Sequence, residues 1–178
     1  MQVEGHLTVV QQEVRDGASL EYVRAARAEV NDAYRLAGYL LGDAADAQDA
    51  VQDALIKAWR SWPSLRDPDA FEPWFRRIVV NVCRDRMRRH RTLRMEALDA
   101  AGEVESHDTF ASMLVEDEVA GAVARLAPDH RIVIALRFWR DLTLEQVAQT
   151  LDLPLGTVKS RLHYALHALR AELNGIER

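Results

Sequence analysis

Apolar residues recur at every third or fourth position along nearly the whole chain, and no alternating run long enough for a strand pairs with a turn dipeptide such as Asn-Gly. That spacing places apolar side chains on one side of a helix, so the expected fold class is all-α. Helices are expected over 20–41, 44–60, 70–91, 112–125, 129–140, 143–151 and 155–173. With 178 residues, 48% of them hydrophobic, the chain can bury the core of one ordinary domain or two small ones, which excludes disorder throughout. No stretch approaches the ~20 apolar residues of a membrane span, and residues 1–20 lack the basic start and apolar run of a signal peptide. A cytoplasmic protein without membrane insertion is expected. The single cysteine, Cys83, cannot form an internal disulfide and fits a reducing compartment.

The net charge of −5 at first argues against a nucleic-acid binder. Its distribution argues otherwise. Residues 1–58 hold ten acidic and five basic side chains, whereas 84–94 hold six arginines and one aspartate. The stretch 96–118 then has eight acidic residues and no lysine or arginine, and 131–170 returns to six basic against three acidic. This order predicts two small helical domains joined by a flexible acidic linker. The divisions are an N-terminal extension at 1–19, a first domain at 20–95, the linker at 96–111 and a second domain at 112–178.

On the helix expected from residue 44, Ala47, Val51, Ala54 and Ala58 share the core face, while Asp46, Asp49, Asp53 and Arg60 lie opposite with Ile56 among them. Such a stripe is either solvated surface or a partner site of basic and apolar character. The next helix places Phe75, Val79, Val82, Cys83 and Met87 on one side and Trp74, Arg77, Asn81, Arg84 and Arg88 on the other. The first set reads as core, with Cys83 as a small packed hydrophobe. The second is either a solvated arginine face with Trp74 half-buried, or a nucleic-acid surface. Cations neutralise phosphates, an aromatic face stacks on an unpaired base, and an amide hydrogen-bonds a base edge. The preceding segment 61–69 is restricted by Pro63 and Pro68 and can help to shape a pocket.

Thr143 with Gln146 three residues later has the spacing of a capping box. Leu144, Val147, Ala148 and Leu151 form one apolar face, and after a break at 152–154, Val158, Leu162, Ala165 and Leu169 form another. Two short amphipathic helices joined this closely are a helix-turn-helix or an ordinary helical hairpin. The side of the second helix farthest from its core carries Ser160, His163, Tyr164 and His167, with Thr157 and Lys159 near its start and edge. His163 and His167 are four apart, but no HExxH glutamate and no third ligand accompany them. Phosphate-cradling GxxxxGK and GxGxxG sequences are missing too. The chain is therefore expected to be no enzyme, with no metal and no cofactor.

The run GTVKSRLHYALHALR at 156–170, preceded by LTLEQVAQTLDLP, resembles the promoter-reading helix-turn-helix of bacterial extracytoplasmic-function sigma factors. DAQDAVQDALIKAW at 46–59, followed by DAFEPWFRRIVVNVCRDRMRR at 69–89, resembles the first conserved domain of the same family. The resemblance implies a subunit that binds core RNA polymerase through the β′ clamp helices and β flap and directs initiation at promoter DNA. It also implies control by an anti-sigma factor. Asp49, Gln52, Asp53 and Ile56 match the segment that meets the clamp helices. Asn81 matches a position that captures a flipped base of the minus-ten element, with Leu65 in the loop shaping the pocket and Trp74, Arg77, Arg84 and Arg88 supporting the opened strand. Thr157, Lys159, Ser160, His163 and Tyr164 fall on positions facing the minus-thirty-five element. The rival reading is a helix-turn-helix regulator that works without polymerase, which leaves the Asn81 and Asp49 stripes unused.

Overall fold

The computed structural model describes residues 3–101 and 118–176, and within them every regular element is helical. The first half contains α1 (Val3–Leu41), α2 (Ala44–Ser61) and α3 (Phe71–Ala101). The second contains α4 (Glu118–Arg125), α5 (Pro128–Ile134) with a π turn at Ala135–Trp139, α6 (Leu144–Leu151) and α7 (Leu155–Ile176). Two ends differ from the spacing-based expectation. α1 starts at Val3 instead of residue 20, and α3 continues to Ala101, six residues into the stretch read as linker. No proline interrupts either extension, so the backbone ladder continues where apolar periodicity fades. The remainder of that linker, and residues 112–117 of the expected fourth helix, lie outside the described residues.

α1, α2 and α3 pack side by side. α2 opens on Asp43, whose carboxylate accepts the Asp46 backbone N–H at 2.8 Å. It buries Ala47, Ala50, Val51, Ala54 and Ala58, a seam of small residues that lets its neighbours approach closely. Tyr22, Trp62, Phe71 and Phe75 form an aromatic cluster where the three helices meet, with Phe71 and Phe75 stacked at 5.3 Å. The Tyr22 hydroxyl donates to the Leu55 carbonyl at 2.6 Å, and burial raises its pKa. All five residues assigned to the core side of α3 are buried. Burial pushes the Cys83 thiol up to about 12, so it stays protonated and serves as packing.

In the second half the capping box forms as its spacing predicts. Thr143 Oγ1 accepts the Gln146 backbone N–H at 3.2 Å, and Gln146 Oε1 accepts that of Thr143 at 2.8 Å. α6 ends on Asp152 in the left-handed region, φ 55°, after which Leu153 N–H donates to Ala148 O at 3.0 Å. The chain reverses there and α7 begins. Val147, Ala148, Leu151, Val158 and Ala165 are buried, so the two expected apolar faces meet.

The halves are not independent in this structure. Ile132, Val133, Leu136, Leu142, Val147 and Val158 belong to the same buried cluster as Phe75, Val79 and Cys83. Arg131 donates to the Leu40 carbonyl at 2.7 Å, and Arg140 pairs with Asp32 and, at 3.3 Å, with Glu72. The Tyr39 and Trp139 rings stack at 5.8 Å across the same junction.

Candidate nucleic-acid interface

α3 projects a stripe away from its own core, and the stripe divides by environment. Trp74 is half-buried, tilted against Phe71 at 5.8 Å, so its ring packs chiefly within the protein. Asn81 is exposed at the middle, and its Oδ1 accepts a long hydrogen bond of 3.4 Å from Arg84. Leu65 lies in the loop between the turns Trp62–Ser64 and Pro68–Ala70, partly buried against the shared core, with its N–H bonded to Trp62 O at 3.0 Å. Pro63, Pro68 and the Asp67 carboxylate, which accepts the Asp69 N–H at 3.0 Å, fix that loop.

The three arginines of the stripe are all engaged by carboxylates of the second half. Arg77 meets Asp152 at 2.8 Å, Arg88 meets Asp129 at 3.5 Å, and Arg84 meets Asp129 at 3.7 Å. Arg161 of α7 also reaches Asp129, at 3.7 Å. Burial lowers the Arg84 pKa, with Asp129 acting in the opposite sense. Sequence spacing could not anticipate Asp129 and Asp152 as partners of α3, or Arg161 as a further partner of Asp129, because the pairs span 32 to 75 positions.

On α2, Asp49, Gln52, Asp53 and Ile56 are exposed, with Ile56 retaining 49% of its surface. Asp46 turns from this stripe toward α3, where it meets Arg86 at 3.5 Å and His90 at 3.4 Å. Arg86 also bonds Asp53 at 2.7 Å, and that hydrogen bond raises the Arg86 pKa against the effect of burial. The stripe is thus partly neutralised from its own domain. Spacing missed Trp59, which is 45% exposed beyond Ile56 and rests on Tyr22 at 5.1 Å. Its signal was the WR step ending the same helical face.

Along α7, Lys159, Ser160, His163 and Tyr164 are exposed and Thr157 is partly so. Ser160 Oγ donates to the Gly156 carbonyl at 3.0 Å, and the His163 and Tyr164 rings meet edge-on at 5.6 Å. Among the described residues no group of three His, Cys, Asp or Glu side chains is placed to hold a metal ion, and no helix is long and apolar enough to cross a membrane.

An arginine-rich helical unit followed by a helix-turn-helix is the architecture of a DNA-binding transcription protein. Residues 25–92 match the family described as Sigma-70 region 2, and residues 122–171 match Sigma-70, region 4. The chain is 32% identical over 159 residues to the RNA polymerase sigma-E factor of Streptomyces avermitilis, covering 88% of this chain and 87% of that one. It is 35% identical over 144 residues to the ECF RNA polymerase sigma factor SigL of Mycobacterium tuberculosis, covering 79% and 81%. Among solved structures, the sigma factor RpoE of Bartonella quintana, in complex with the anti-sigma factor NepR, matches with a TM-score of 0.63 and 25% identity over 88% of this chain and 98% of that one. The chain belongs to the extracytoplasmic-function RNA polymerase sigma factors of the sigma-70 family. Its function is promoter-specific transcription initiation with RNA polymerase.

Proposed function

We propose that α3 reads and holds the opened minus-ten element while α7 reads the minus-thirty-five element, and that α2 docks on the β′ clamp helices, with the β flap contacting the second half. The carrying observation is Asn81, an exposed amide in the middle of an arginine stripe on a rigid, well-packed helix. An amide there can satisfy the edge of an unstacked base while Arg77, Arg84 and Arg88 neutralise the strand beside it. Trp74 would act as a wall, since it is tilted into the core, and Leu65 would line the adjacent loop. Thr157, Lys159, Ser160, His163 and Tyr164 would divide between phosphate and base contacts. Asp49, Gln52, Asp53 and Ile56 form a face of mixed acidic and apolar character, suited to a basic partner helix.

The work is done by binding energy and requires no covalent step, metal or cofactor. Stacking a captured base is worth ~1–3 kcal/mol, comparable to the cost of unpairing one step. The complex of the Bartonella relative with NepR supports control of this chain by an anti-sigma factor, and a cytoplasmic site of action follows from the need to meet polymerase and promoter. The test compares the wild type with Asn81→Ala in two assays with purified core enzyme, permanganate footprinting of the opened promoter and direct binding to core. Loss of strand opening by about tenfold, the scale of one lost base contact, with core binding retained is expected. Equal loss in both assays would remove Asn81 from base capture.

A further inference from the structure

Four side chains that can carry positive charge follow one another along α7. Lys159, His163, His167 and Arg170 recur at steps of four, four and three residues, and all four are exposed. Val158 and Ala165 are buried on the other side of the helix, with Leu162 partly so, which turns the two imidazoles outward. Ser160 shares their side, but its hydroxyl donates to the Gly156 carbonyl at 3.0 Å. The groups left to meet a partner are the histidines and Tyr164, which is 63% exposed and meets the His163 ring edge-on.

Neither imidazole has an anion beside it. Among the described residues, the one histidine paired with a carboxylate is His90, with Asp46. The charged groups of the helices packed against α7 are directed elsewhere. Arg125 of α4 pairs with Glu172 at 2.7 Å, and Asp129 of α5 pairs with Arg161 at 3.7 Å. Arg131 donates to the Leu40 carbonyl at 2.7 Å, and Asp152, after α6, meets Arg77 at 2.8 Å. His130 of α5 and Glu145 of α6 form no ion pair with either imidazole. A row of like charges at these steps is destabilising on a bare helix, whereas an adjacent phosphate favours the charged form of an imidazole. Charging of the row is therefore coupled to the arrival of DNA.

We propose that His163 and His167 each take up a proton from solvent when α7 enters the major groove, and that His167 binds a phosphate there. The proposal rests on α7 facing the minus-thirty-five duplex. The first residues of a recognition helix meet base edges. From Ser160 to His167 the helix rises ~10 Å, close to the ~12 Å width of the major groove, so His167 reaches the phosphate wall while His163 stays over base-edge acceptors beside Tyr164. The neutral ring offers one N–H donor and no charge, and the protonated ring offers two donors and a full charge. Both protons return to solvent when the complex dissociates. Promoter affinity of this chain is thus linked to pH in the interval where histidine changes charge.

The experiment uses holoenzyme reconstituted from the full chain and purified core, on a promoter duplex selected by the wild type from a random-sequence pool. Equilibrium binding at low temperature, with the duplex closed, would be measured at about pH 8 and about pH 6 over a range of salt. Relative to His163→Gln/His167→Gln, the wild type should gain at least about threefold in affinity on acidification, and its slope of log affinity against log salt should steepen by about one to two. The core enzyme is common to both, so its own pH response cancels. Circular dichroism should show equal helicity at both pH values, since both positions are exposed. His167→Gln alone should lose about one unit of slope at the lower pH, equally on the selected duplex and on one with a scrambled upstream element, because a phosphate contact carries no sequence information. A loss confined to the selected sequence would overturn the phosphate assignment. A double variant that keeps the wild-type pH response would overturn proton uptake. Lys159→Ala separates the failures. If it weakens binding while the double variant keeps the wild-type response, α7 still reads the duplex and only proton uptake is refuted; if neither variant alters binding, the assignment of α7 to DNA fails with it.

Discussion

Replacing Arg140 with methionine should loosen the junction between the halves, and the size of the effect can be worked from its surroundings. Arg140 is 18% exposed and pairs with Asp32 and Glu72, whose side chains are 42% and 36% exposed. Its guanidinium lies 5.9 Å from the centroid of the Trp139 ring, where the methionine side chain can keep much of the packing of its stem. Each pair, screened as these are, is worth about 0.2–1 kcal/mol. Removing the cation also leaves Glu29, Asp32 and Glu72 around one small cleft with Arg76 as the remaining cation. Together these give a loss of about 1–2 kcal/mol at neutral pH.

The pH dependence has a definite sign. Burial works against the Arg140 charge, but its bonds to Asp32 and Glu72 outweigh that and raise its pKa. The hydrogen bond from Arg140 lowers the Asp32 pKa, so this contribution is present above the ordinary aspartate range and is lost as pH falls through the lowered value. Glu29 has the opposite character: burial first, then Glu72 and Asp32, raise its pKa, so its protonation on acidification favours the folded chain. Without Arg140, Glu29 and Asp32 protonate more readily. Urea unfolding at pH 7 and at about pH 4 should therefore show the deficit of Arg140→Met narrowing at the lower pH. A deficit under about 0.3 kcal/mol at pH 7, less than two screened pairs supply at their weakest, or one that widens on acidification, would refute the reasoning.

Lys159→Ala should weaken promoter binding by the holoenzyme and reduce the slope of log affinity against log salt by about one, the loss of one phosphate neutralisation; an unchanged slope removes Lys159 from the phosphate contacts. Thr143→Ala breaks one side of the capping box and should cost about 1 kcal/mol in urea unfolding, with Thr143→Ser restoring most of it. Cys83, its thiol pushed up to about 12, should resist a thiol reagent at pH 8 in the native chain and react promptly in denaturant. Rapid native labelling would contradict its burial.

Part of the acid content is set against the arginines of α3, so a net charge of −5 and a DNA-binding helix are compatible.

Interactions that reach three or four residues were legible in the sequence. The core sides of α2 and α3, the Thr143 and Gln146 capping box and the apolar faces of α6 and α7 all follow from helical periodicity. Helix ends were less so, because α3 continues to Ala101, past residue 91 where the spacing-based helix ended. The exposure of Asn81, Lys159 and Tyr164 also follows from periodicity, since each lies opposite a strongly apolar face. Only the tertiary structure decided that Trp74 leans into the core, that Asp46 leaves its stripe for Arg86, and that Asp129 gathers Arg84, Arg88 and Arg161. Spacing specifies which side of a helix is apolar, but the partner of a charged face depends on which distant helix is packed against it.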